Sequence, residues 1–137
     1  MLRIVFGVIA GFLSWVILWF GAETILSAVW PAFGEHQAAF QAAIEGDLGA
    51  PHFYPDTNIL LVHCVIATIV SVISGFLAAI VAGEIKRAPL VLGLLLLAMG
   101  LLKAAMSWQL VPIWYHVAFT ALLLPMAMLG GRLKTTA

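Results

Sequence analysis

The chain is built from long apolar runs separated by short polar breaks. Residues 4–22 carry no charge, and the apolar character continues, with Glu23 and Thr24 inserted, to residue 30. Residues 58–82, 89–107 and 112–129 form three further runs, the second interrupted only by Lys103. Each meets the length of about 20 residues needed to cross a bilayer as a helix. Pro89 and Pro112 fit a first helical turn, where the missing N–H has no partner to lose. Pro125 lies inside the last run and is expected to bend it or free a carbonyl one turn back. The pattern predicts an all-α protein, a single transmembrane domain over residues 1–137, folded as a four-helix bundle.

The breaks differ in kind. Residues 83–88 and 108–111 are tight turns. Residues 31–57 form the one long loop, with Glu35, Glu45, Asp47 and Asp56 and no Lys or Arg. Within it, Phe33, Phe40 and Ile44 fall near one helical face, and Gly46 can end such a helix. A short interfacial helix is expected there.

Composition sharpens the class. Of 137 residues, 64% are apolar and 9% charged, against roughly 25% charged in a soluble domain. Net charge is zero, and no basic patch interleaved with aromatics offers a nucleic-acid site. Arg3, Lys86, Arg87, Arg132 and Lys134 fall on one side of the expected bundle, and Lys103 toward the other. Positive charge favours the cytoplasm, so both termini are expected there, with residues 31–57 outside, in a bacterial inner membrane. The single cysteine, Cys64, reads as a small apolar helix residue and excludes paired-thiol chemistry within the chain. His52 and Asp56 have a metal-like spacing, but Pro51 and Pro55 argue against a helix that would align them. No metal site and no cofactor are assigned.

Glu23 is the residue to explain. A carboxylate at the bilayer centre costs about 2.5–3.5 kcal/mol on insertion scales. If helix 1 ends near residue 22, Glu23 is interfacial, beside Trp15 and Trp19. If the helix continues to Trp30, Glu23 is drawn about two turns inside. His63, Lys103 and His116 lie at similar depth on the other three helices. His63 shares a face with Ala67, Ser71, Ser74 and Ala78. Lys103 shares one with Gly93, Gly100 and Ser107, and His116 with Thr120, Ala127 and Gly130. Such small and hydroxyl residues are what helix contacts in membranes select. Glu23 shares a face with Val16, Ser27 and Trp30, nearly opposite Gly7, Gly11 and Ser14. Gly7-x-x-x-Gly11 is a close-packing motif, within the bundle or between subunits.

Two arrangements stay open. In one, Glu23, His63, Lys103 and His116 build a polar pocket at the outer face, Glu23 pairing with Lys103. Trp30, Trp108, Trp114 and Tyr115 form its rim, and the 31–57 loop its lid. In the other, Lys103 snorkels to the surface, Glu23 is hydrated and each histidine bonds a local carbonyl.

Function follows only by class. The default is a non-enzymatic accessory or structural membrane subunit, in a larger membrane complex or a homo-oligomer. A second reading is a small-solute transporter or binder acting as a homo-oligomer. The size, the four-helix layout and a glutamate in helix 1 resemble small multidrug-resistance exporters in architecture, but the 27 residues between helices 1 and 2 depart from their short loops. A third reading places b-type haem between His63 and His116. A fourth is a hydrolase or other enzyme with one of these histidines as base and Glu23 as its partner.

Overall fold

A computed structural model describes residues 1–46, 53 and 55–136. Five helices and no strands occur among them: α1 (Leu2–Val29), α2 (Pro31–Ile44), α3 (Thr57–Ala82), α4 (Arg87–Met106) and α5 (Ile113–Thr136). Four of these, all but α2, are long and apolar enough to cross a membrane. Their outward faces carry large apolar side chains, among them Ile9, Leu13 and Ile17 on α1, Val65 and Ile69 on α3, Leu101 on α4 and Val117 on α5. In water such a surface would be prohibitive; against lipid it is neutral.

α1 follows the longer of the two expected courses. It stops at Trp30, whose extended backbone (φ −130°) breaks the helix. Pro31 then opens α2, where its missing N–H costs nothing. The chain folds back on itself here. A Cβ on Gly34 would stand 3.2 Å from the Ser27 carbonyl oxygen, so α2 lies close along the last turns of α1. Phe33 is fully buried, stacked on His63 with ring centroids 5.1 Å apart. Asp56 caps α3, accepting from the N–H groups of Asn58 and Ile59 at 2.9 and 3.3 Å. Gly83, at φ +70°, closes α3 in the left-handed conformation that glycine adopts freely. Glu84 accepts from the N–H groups of Lys86, Arg87 and Ala88 and so caps α4.

Small residues set the helix spacing. A Cβ on Gly7 would strike the Ala78 carbonyl and Ala82, and one on Gly11 would meet Leu92 and Ala78. The Gly7-x-x-x-Gly11 face is therefore packed inside the chain, against α3 and against Leu92 of α4. Gly75 lies against the Ala127 backbone and Gly130 against that of Val72, which joins α3 to α5. α5 runs well past the expected end near residue 129. Glycines at 130 and 131 weaken an isolated helix, but here both are buried, Gly131 against Pro89. α5 also continues through Pro125. The proline ring leaves only the Ala121 carbonyl without its helical donor.

Candidate functional site

α1 and α3 run antiparallel, and their contact follows rows spaced by four residues. Gly7 and Gly11 lie against Ala82 and Ala78. One turn on, the Trp15 indole N–H donates to Ser71 Oγ at 3.1 Å. Trp19 stacks on Trp15, centroids 5.2 Å apart and planes within 3°, and its ring meets His63 at 5.7 Å. Glu23 closes the row, with Oε1 3.6 Å from His63 Nε2. A row of i+4 steps drifts by about 40° per step relative to a fixed helix face. Gly7 and Glu23 thus point to opposite sides of a straight helical wheel yet contact the same neighbouring helix.

The helices part at this end around a cavity of ≈ 300 Å³. α1 and α4 touch where Gly11 meets Leu92. Beyond that point Phe12, Val16 and Phe20 line one side of the cavity and Leu96, Met99 and Lys103 another. α5 adds Tyr115, Phe119 and Leu123, α3 adds Leu60 and His63, and α2 adds His36, Gln37, Phe40 and Gln41. The wall near Phe12, Leu96 and Leu123 is apolar. The polar groups are gathered toward α2.

Glu23 is engaged twice. Besides His63, Gln37 donates to its Oε1 from α2 at 3.0 Å. His63 is 3% exposed. Its Nδ1 donates to the Ile59 carbonyl at 2.9 Å, which turns Nε2 toward the carboxylate. Lys103 does not pair with Glu23 within 4.0 Å. Its Nζ donates to Tyr115 Oη at a long 3.4 Å and sits over Phe119, Trp19 and Tyr115, at 4.2, 5.4 and 5.6 Å from the ring centroids. Aromatic faces attract a cation, by about 0.5–2 kcal/mol each, without neutralising it. In place of the expected Glu23–Lys103 approach, the carboxylate lies 3.6 Å from His63 Nε2 on α3.

His36 is 8% exposed and holds α2 to the start of α3. Its Nε2 accepts from the Asp56 N–H at 3.2 Å. The neutral ring then carries its hydrogen on Nδ1, which has no partner among the described residues. Burial pushes the imidazole below its ordinary value of 6.5, and the nearby His63 pushes it further down. The Gln37 and Asp56 side chains only partly offset this.

Three of the four expected pocket residues, Glu23, His63 and Lys103, line the cavity, and His116 does not. On α5 the cavity row is Tyr115, Phe119 and Leu123; His116 is one residue, about 100°, further round. Its Nε2 bonds the Trp108 carbonyl at 3.3 Å, and its ring stacks on that indole at 5.1 Å. His63 and His116 therefore open onto no common cavity, and the pair does not fit haem iron. Of the expected rim, Tyr115 lines the cavity. Trp108 and Trp114 are 54% and 41% exposed, and Trp30 packs on Phe33. His63 and His116 each bond a backbone carbonyl, the arrangement of the second reading, and His63 also faces the cavity. His52 lies outside the described residues, and no metal-binding group of three or more ligands occurs among those described. Sequence reasoning left Phe119, His36 and Gln37 out of the pocket and read Trp15 and Trp19 only as interfacial. The i+4 row Trp15–Trp19–Glu23, and His36 three residues after Phe33 on the same helical face, were the available signals. No family model, curated protein or solved structure matches the chain.

Proposed function

We propose that this is an integral membrane protein with both termini in the cytoplasm, α2 lying at the outer interface, and a non-enzymatic binding role for the cavity. In this reading the chain is an accessory subunit that holds a small ligand at its outer end. One observation carries the reading: the cavity is polar at the α2 end and blocked at the other by close glycine contacts. Gly7, Gly11, Gly75 and Gly130 bring backbones together there, and the deepest polar side chains, Ser71 and Ser74, are fully buried. A transporter needs a polar path through the inner half as well, so binding is favoured over transport. Glu23, held by Gln37 and His63, serves as a fixed structural charge. The cavity volume lies at the lower end for ligand pockets, about 300–1,000 Å³.

The test is native mass spectrometry of the chain extracted in mild detergent. The expected result is one small non-covalent adduct per chain. It should disappear in Val16→Trp, which fills the cavity from its half-buried α1 wall. A folded Val16→Trp protein with the same adduct would defeat the proposal.

A further inference from the structure

The groups around the cavity are unequal in what they leave free. Gln37 and His63 both meet the same oxygen of Glu23, Oε1. Lys103 has three N–H donors and directs one, at long range, to Tyr115. His36 presents a buried Nδ1–H without a partner among the described residues. At Lys103 and His36 the unmet capacity is therefore donating, and at Lys103 it is also cationic. A buried ammonium surrounded by rings is stabilised far better by an anion that also accepts hydrogen bonds.

The rest of the cavity has a different character. From Lys103 it descends past Phe119 to Phe12, Leu96 and Leu123, all apolar. Its α1–α4 side is bordered by Phe20 and Met99, which are 60% and 48% exposed. Both residues thus face the cavity and the surroundings of the bundle together. Helices that touch at Gly11–Leu92 and part above it leave a cleft on the lipid-facing side.

Resting on the binding role proposed above, we infer that the ligand is a single-chain amphiphile with a carboxylate head, a free fatty acid, whose head meets Lys103 and His36 and whose chain passes between α1 and α4. The ligand reaches the site from the acyl phase of the bilayer, not from water. A cavity of ≈ 300 Å³ takes the head and the first part of the chain, and the remainder stays in lipid beside Phe20 and Met99.

Palmitate and hexadecanol, which share a chain and differ in the head, make the test, with binding to the detergent-purified chain measured by native mass spectrometry. The expected result is one palmitate per chain, bound at least tenfold more tightly than hexadecanol. Lys103→Met should weaken palmitate about 10- to 100-fold, the worth of a charge-assisted hydrogen bond, and leave hexadecanol unchanged. Lys103→Arg should restore most of the palmitate affinity. Equal binding of the two probes to the unaltered chain overturns the carboxylate assignment while leaving a binding cavity. Binding of neither probe, in a chain that still carries another adduct lost in Val16→Trp, overturns the amphiphile class alone. Binding of neither probe, with no adduct of any kind, overturns the binding role as well.

Discussion

Glu23 and His63 meet across the α1–α3 contact, with Oε1 and Nε2 3.6 Å apart, and Gln37 donates to the same carboxylate oxygen from α2. The pair joins three helices at one point. Glu23→Gln removes the charge facing His63 and keeps an acceptor for Gln37, whose hydrogen bond is weakened but not lost. The expected loss is about 1–3 kcal/mol. A double-mutant cycle with His63→Ala, read by unfolding in mixed detergent micelles, should give a coupling of at least about 0.5 kcal/mol. Strict additivity would mean that the two side chains do not interact.

Glycine substitutions should separate sharply by position. A Cβ at Gly75 would enter the Ala127 backbone, and one at Gly130 the Val72 backbone. Neither backbone can yield as a flexible side chain could. Gly75→Ala and Gly130→Ala should each cost about 1–3 kcal/mol or more through forced separation of α3 and α5. Gly21, with nothing within 4 Å, is a helical glycine facing outward. Gly21→Ala should be neutral or should stabilise by up to about 1 kcal/mol. Thermal unfolding of the three variants in one detergent measures the contrast.

The four long helices were legible because a run of apolar residues of the right length has few other solutions. The small faces of α3, α4 and α5 were legible for the same reason that they pack: backbone approach demands small side chains. The helix that Glu23 meets was not. A helical wheel anchored at Gly7 turns Glu23 away from α3, whereas the real contact row drifts with the i+4 spacing. His116 failed for a related reason. Its face is buried, but the cavity occupies only the neighbouring row of α5, and one residue of rotation decides between them. Lys103 lines the cavity with Glu23 and His63 but lies over aromatic faces instead of pairing with the carboxylate, because those rings come from α1 and α5 and no local pattern announces them.

Glu84 should act as the main cap of α4. Burial raises its carboxyl, but the N–H donors of Ala88, Arg87 and Lys86, and the charge of Arg87, together hold it below its ordinary value of 4.5. A carboxylate depressed in the folded state contributes stability that is complete above the unfolded value and is lost as pH falls through the lowered folded value. Glu84→Ala should cost about 1 kcal/mol near neutral pH. The difference between the two proteins should shrink in acid below pH 4.5, as measured by unfolding at a series of pH values.

The sidedness of the chain can be tested directly. Arg3 lies against Gly83, next to Lys86 and Arg87, and Gly131 beside Arg132 lies against Pro89. The basic groups thus collect at one end of the bundle. A fluorescent-protein fusion, which matures in the cytoplasm, should light up at either terminus. Alkaline phosphatase, which works outside the cytoplasm, should be active when inserted after residue 46 and inactive at the termini. The opposite pattern would reverse the orientation assigned from charge.

His36 should make the docking of α2 depend on pH. Its Nε2 accepts from the Asp56 N–H, and a protonated imidazole has no acceptor to offer. Protonation therefore breaks the link between α2 and the N-terminus of α3. The folded value is lowered, first by burial and then by His63. The folded ring accordingly binds fewer protons than the unfolded one. Its contribution is complete above the ordinary value of 6.5, declines as pH falls below it and is gone below the lowered folded value. Hydrogen exchange at the Asp56 amide, corrected for the intrinsic pH dependence of exchange, should accelerate across that window. Exchange in the middle of α3, around Val70, should not change with it. His36→Phe keeps the ring against Phe53, where the histidine now packs edge-on at 5.0 Å, but has no acceptor at any pH. In that variant the Asp56 amide should exchange quickly throughout and lose its pH dependence. Retained protection at low pH in the unaltered chain would show that Asp56 has a second acceptor and that α2 docks independently of the histidine.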